Sequence, residues 1–142
     1  MVNAGGPAYT DPQSQVWAAD TGFVGGGPWS TSATIQNTTT PTLYQTVRYG
    51  NFQYQFTVPN GNYTVTLKFA EVYYPSAGQR VFNVSINGTQ VLTNFDIVAQ
   101  AGGMLRAVDK SFAVTVANGQ ITIQLSGVVD VGLVNAIQIT SP

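Results

Sequence analysis

Apolar and polar residues alternate along three stretches of the chain, each interrupted by a turn sequence. Phe112, Val114 and Val116 lead into Asn118-Gly119, and Ile121, Ile123 and Leu125 follow it. Side chains of an extended strand point alternately to its two faces, so this pattern predicts strands with one apolar face. Asn-Gly suits a two-residue turn that needs positive φ at both central positions. A hairpin closed there sets Val116 against Ile121, Val114 against Ile123 and Phe112 against Leu125. The same arithmetic about Pro59-Asn60-Gly61-Asn62 sets Phe56 against Val65, Tyr54 against Leu67 and Phe52 against Phe69. A third hairpin is predicted where Asn87-Gly88 turns residues 81–86 back toward 90–92. Shorter strands are expected at 16–18, 46–48 and 134–140, and no segment shows a helical period of comparable strength. So many short strands predict an all-β sandwich or jelly roll. Residues 22–42 and 94–106 are rich in Gly, Ser and Thr and read as long surface loops, which often carry binding residues.

Charge changes the picture most. Charged residues are 8% of the 142-residue chain and the net charge is -1, so the surface is polar but uncharged and has no basic footprint. Nucleic acid and membrane are therefore not expected partners. There is no cysteine and no histidine, which removes thiol nucleophiles, disulfides, the usual zinc sites and the commonest general base. No cofactor is expected. Asp11 and Asp20 are the only acids near the chain start, too few for the about 6 to 8 oxygens of a calcium site, and no metal is expected either. The length fits one domain over residues 1–142, with no internal repeat and no linker. Met1 runs directly into Val2-Asn3-Ala4 with no apolar leader, and no stretch approaches the ~20 apolar residues of a span, so the chain reads as a monomeric mature or excised domain.

Residues 63–73 read as one strand on which Glu71 falls in phase with Val65, Leu67 and Phe69, placing a carboxylate on the core face. Arg80, in phase with Phe82, Val84 and Ile86, or else Arg48, is expected to pair with it, because a buried charge without a partner is costly. The rival reading makes Glu71 a catalytic acid, working with Asp20, Asp96 or Asp130 across a sugar. Tyr73-Tyr74-Pro75 follows where the strand must leave the sheet, Tyr49-Gly50 ends another strand, and Pro28-Trp29 lies in the first long loop. Aromatic rings at strand ends can stack on the C–H face of a pyranose at low entropic cost.

Asn3-Ala4-Gly5-Gly6, Leu43-Tyr44-Gln45-Thr46 with Arg48-Tyr49, Phe69-Ala70-Glu71-Val72-Tyr73, Gln79-Arg80-Val81-Phe82-Asn83-Val84 and Asn94-Phe95-Asp96-Ile97 run in order over nearly the whole chain. Together they resemble the malectin family of carbohydrate-binding modules. The resemblance implies a jelly-roll β-sandwich of the galactose-binding-like kind, with a sugar pocket in loops at one end. The family's binding tyrosine after Leu-Tyr-Gln-Thr falls on Tyr49, and its aromatic pair after Phe-Ala-Glu falls on Tyr73 and Tyr74, where animal members have phenylalanine second. Its ligand-binding aspartate falls on Asp130. A further upstream tyrosine has no counterpart, and Trp29 is the nearest aromatic.

The expected function is therefore non-catalytic binding of an oligosaccharide or polysaccharide, a glucan first, by an extracellular or secretory-pathway module cut from a larger protein. A structural or protein-interaction ectodomain and a small glycosidase are the alternatives.

Overall fold

Val65, Leu67 and Phe69 are fully buried, while Thr64, Thr66 and Lys68 between them are exposed or half-buried, which is the alternation that the sequence predicts. The computed structural model describes residues 1–142. In chain order the strands are β1 (Val2–Asn3), β2 (Tyr9–Thr10), β3 (Val16–Trp17), β4 (Phe23–Val24), β5 (Gly27–Ser30), β6 (Thr46–Gly50), β7 (Phe52–Thr57), β8 (Gly61–Phe69), β9 (Val81–Ile86), β10 (Thr89–Phe95), β11 (Val108–Val116), β12 (Gln120–Val129), β13 (Gly132–Val134) and β14 (Ala136–Thr140). A 3-10 turn at Pro41–Tyr44 and the helix α1 (Ile97–Ala101) are the only helical elements.

Two sheets make a jelly-roll β-sandwich: a four-stranded one in the order β1-β14-β8-β11 and a five-stranded one in the order β10-β9-β12-β7-β4. Between them lies one core of 28 buried apolar residues. Phe69 from the first sheet meets Phe82 and Phe95 of the second at 6.0 and 4.8 Å between ring centroids, so aromatic contacts clasp the two layers. A small third sheet, β13-β6-β5, lies beside them, and β2 and β3 form a separate ribbon.

Of the three hairpins expected, one is formed and two are not. Asn87 and Gly88, with φ of 49° and 81°, turn β9 into β10, pairing Ile86 with Thr89. The strands on either side of Asn118-Gly119 instead enter different sheets, as do those on either side of Pro59-Asn60. β7 pairs with β12, setting Phe56 against Ile121, Tyr54 against Ile123 and Phe52 against Leu125. β8 pairs with β11, setting Val65 against Phe112 and Phe69 against Val108. Both connections are arches across the sandwich. Alternation decides which face of a strand is apolar but not which strand lies beside it, and two inner faces opposed across a core satisfy the same pattern. The arches are tied to one another, since Val58 N–H donates to the Gly119 carbonyl and Gly119 N–H to Asn60 Oδ1.

The two expected loops also hold structure. Residues 22–42 contain β4, β5 and the start of the 3-10 turn, so Trp29 lies on a strand rather than in a loop. Residues 94–106 contain α1, whose N-cap Asp96 accepts from Ala99 N–H and whose C-terminal Gly102 takes φ of 83°. The helix is too short for an apolar period to announce it.

Two buried tyrosines give the fold an alkaline limit. Tyr44 donates its hydroxyl to Asp109 and Tyr54 donates its own to Asp20. Burial first, then these bonds and the carboxylate charges, raise both phenols above their ordinary range. Folded pKa values above the unfolded ones mean that this contribution is whole below about pH 10 and is lost as pH climbs past it. The melting temperature should hold between neutrality and pH 9 and fall beyond about pH 10. Tyr54→Phe should remove part of that fall, and a flat profile to pH 11 would refute the account.

Candidate functional site

β8 ends at Phe69, four residues short of the expected end, because Asn135 Oδ1 takes the Ala70 N–H at 2.7 Å and the chain turns away. Glu71 follows, 1% exposed, and accepts Arg80 Nε at 2.6 Å on Oε1. The expected buried pair is thus formed with Arg80. The other candidate, Arg48, is held by Asp20 at 2.9 Å. Glu71 Oε2 faces the backbone N–H groups of Tyr73 and Tyr74 at 3.2 and 3.4 Å. One carboxylate therefore fixes both the arginine and the turn that carries the two tyrosines out of the sheet.

Across from this turn is one face of the small sheet. Trp29 of β5 stands opposite Val47 of β6, and Tyr49 lies two residues farther along the same strand face. Trp29 meets Tyr73 edge-on at 6.0 Å, and Tyr73 meets Tyr74 edge-on at 4.9 Å. Asp130 closes the ring. It sits between β12 and β13 with φ of 58° and accepts the Tyr74 hydroxyl at 2.7 Å. That bond, ahead of partial burial and the Asp130 charge, raises the Tyr74 phenol above its ordinary range.

Trp29, Val47, Tyr49, Tyr73, Tyr74 and Asp130 line a single cavity of 330 Å³. All five residues singled out from the sequence are therefore neighbours. Tyr49 is 41% exposed, Trp29 47% and Tyr73 58%, so three large rings offer surface to a ligand. Asp130 Oδ1 is free to accept hydroxyl groups, and the lining holds no second carboxylate. Of the other acids considered, Asp20 is taken by Arg48 and Tyr54, and Asp96 caps α1 and accepts Gly78 N–H.

Two residues, Val47 and Gly127, and the contact of Arg80 with the site escaped the sequence reading. Val47 forms the buried floor between Trp29 and Tyr49. Arg80 reaches the site as well as Glu71: its guanidinium lies 5.1 Å from the Tyr74 ring centroid, and Nη1 donates to the Val131 carbonyl at 2.9 Å. A Cβ at Gly127 would lie 2.0 Å from the Asp130 carbonyl oxygen, so only glycine lets the loop that presents Asp130 fold back this closely. A glycine inside a strand pattern was the available signal.

Comparison with known proteins establishes the family and supports the fold. The malectin domain family model matches residues 1–138. Human malectin is 34% identical over 131 residues, covering 87% of this chain and 44% of its own length. This chain spans less than half the length of the curated malectins that it matches. Among solved structures, Bacteroides uniformis β-glucuronidase aligns over 99% of this chain and 17% of its own, with a TM-score of 0.90 and 26% identity. The ANX2 ectodomain of Arabidopsis thaliana shares the fold at a TM-score of 0.86 and 21% identity, over 97% of this chain and 48% of its own. The chain belongs to the malectin domain family of carbohydrate-binding modules.

Proposed function

We propose that this domain holds a short neutral glucan in the cavity between the small sheet and the tyrosine turn, without catalysis, as a module working in the secretory lumen or outside the cell. The observation that carries the reading is the convergence of Trp29, Tyr49, Tyr73, Tyr74 and Asp130 on one cavity in which the rings of Trp29, Tyr49 and Tyr73 are exposed above buried Val47. A sugar ring offers a C–H face to the aromatic rings and hydroxyls to Asp130 and to the tyrosine hydroxyls. Glycoside hydrolysis needs two carboxyl groups flanking the bond, and Asp130 is the one carboxylate in the lining. Glu71 has its oxygens directed at Arg80 and the Tyr73–Tyr74 amides, an assignment in which it organises the site rather than reacting there.

Titration with maltose, maltotriose and cellobiose tests the reading. At roughly 0.3 kcal/mol per heavy atom a disaccharide gains about 7 kcal/mol, so the tightest of these should bind with a Kd on the order of 10 µM or weaker. Tyr49→Ala, Tyr73→Ala, Tyr74→Ala and Asp130→Ala should each weaken binding by roughly 1 to 3 kcal/mol and shift the melting temperature little. Four variants that bind as the parent does would move the site elsewhere. A blank response to all neutral glucans would favour a protein-interaction role.

A further inference from the structure

A second concavity of 910 Å³ shares no lining residue with the aromatic cavity. Residues 37–40 form one wall, and the other runs from the end of α1 to the start of β11, with Tyr44 and Lys68 between them. Main-chain bonds fix the walls to each other: Gln36 N–H donates to the Leu105 carbonyl and Ala107 N–H to the Gln36 carbonyl. Asn37 Nδ2 adds a bond to the Ala107 carbonyl at 3.1 Å. The cleft is thus a built feature of the fold.

Its charge is unlike that of the rest of the molecule. Of the five basic residues, Arg48 and Arg80 are buried against Asp20 and Glu71. The remaining three gather here. Lys68 and Arg106 line the cleft, and Lys110 Nζ donates to Gln100 Oε1 on its rim. The single carboxylate in the lining, Asp109, is already engaged by Lys68 Nζ at 2.7 Å and by the Tyr44 hydroxyl. Asp11, the other acid whose charge acts on Lys68, is saturated by Trp17 Nε1 and the backbone N–H groups of Gln13 and Gln15. Arg106 makes no ion pair and no side-chain hydrogen bond. An acidic protein therefore concentrates its unburied positive charge in one cleft, with a free guanidinium in it.

We infer that this cleft is a second saccharide site, selective for a carboxylated sugar. A free guanidinium matches a carboxylate in bidentate fashion, so Arg106 takes the carboxylate of a uronic acid residue. Thr39, Thr40 and Asn37 supply hydroxyl and amide groups for ring hydroxyls. Tyr44 is 2% exposed, so the cleft offers no ring for stacking, and its other apolar lining is limited to Ala101, Ala107 and Val108. The ligand is held by charge and hydrogen bonds, in contrast to the aromatic cavity, and the two sites stand or fall separately.

The test is titration with tri-galacturonic acid and with its methyl ester, which keeps the hydroxyls and removes the charge. The acid should bind, the ester roughly tenfold or more weakly, and added salt should weaken the acid alone. Arg106→Gln, whose parent side chain holds no partner, should melt as the parent does and lose the preference for the acid while keeping neutral glucan binding. Tyr49→Ala should do the reverse. Equal binding of acid and ester, or an acid preference that survives Arg106→Gln, overturns the site. Loss of acid binding in Tyr49→Ala overturns it too, by moving the acid into the aromatic cavity. Competition by polyglutamate as strong as by the acid itself overturns the saccharide assignment in favour of an acidic polypeptide.

Discussion

Arg80→Ala should lower the stability of the domain by about 3 to 5 kcal/mol, because it leaves Glu71 charged, buried and without its counter-ion. Glu71 is 1% exposed and Arg80 6%, so neither solvent nor a shifted side chain can replace the 2.6 Å bond between them. The Val131 carbonyl loses a donor in the same variant. A double variant, Glu71→Gln with Arg80→Ala, should recover part of the loss, since it removes the uncompensated charge, and a double-mutant cycle reads the coupling directly. A melting temperature unmoved by Arg80→Ala would end the buried-pair account. The damage extends beyond the fold, because the guanidinium lies over Tyr74 and 3.9 Å from Asp130, so the protein that remains folded should also bind glucan less well.

Phe69→Ala should cost about 3 to 5 kcal/mol as well, by a different route. Its ring is fully buried and packs against Phe82 and Phe95 on the opposing sheet. Removing it deletes transferred apolar surface and leaves a void that two β-sheets, each held by its own hydrogen-bond ladder, close only in part. Urea unfolding should show a lower midpoint with the slope preserved. Tyr73→Ala, four residues on but 58% exposed, should leave the midpoint nearly unchanged. If the two variants unfold alike, Tyr73 belongs to the core and the boundary between scaffold and site is misplaced.

The features legible in the sequence were those set by single strands and single side chains. Burial of Val65, Leu67, Phe69, Ile121, Ile123 and Leu125 follows from alternation alone. The Glu71–Arg80 pair follows from the cost of an unpaired internal charge. Long-range pairing was not legible, because β7 with β12 and β8 with β11 satisfy the same inward-facing positions as two local hairpins. At the candidate site, Tyr49, Tyr73, Tyr74 and Asp130 came from family resemblance, and Trp29 from proximity in the sequence. Their convergence depends on a third sheet that no local pattern marks, since β5 begins with Gly27-Pro28 and β13 has only three residues. Gly127 shows the same limit: its glycine is visible in the sequence, but its reason is a backbone atom that comes near only in the folded loop.

The two interlocked arches also set the order in which the chain can assemble. Within the two main sheets only β9 and β10 pair across a tight turn, so every other ladder of the sandwich must close a long loop before contacts reward it. Asn135 binds the Tyr44 carbonyl 91 residues away, and the N-terminal β1 completes its sheet only against β14. Such non-local wiring belongs to the slow, millisecond-to-second class of folding topologies. Until β14 arrives, β8 has an unsatisfied edge, and a nascent chain lacking its last strand is open to pairing with another copy of itself.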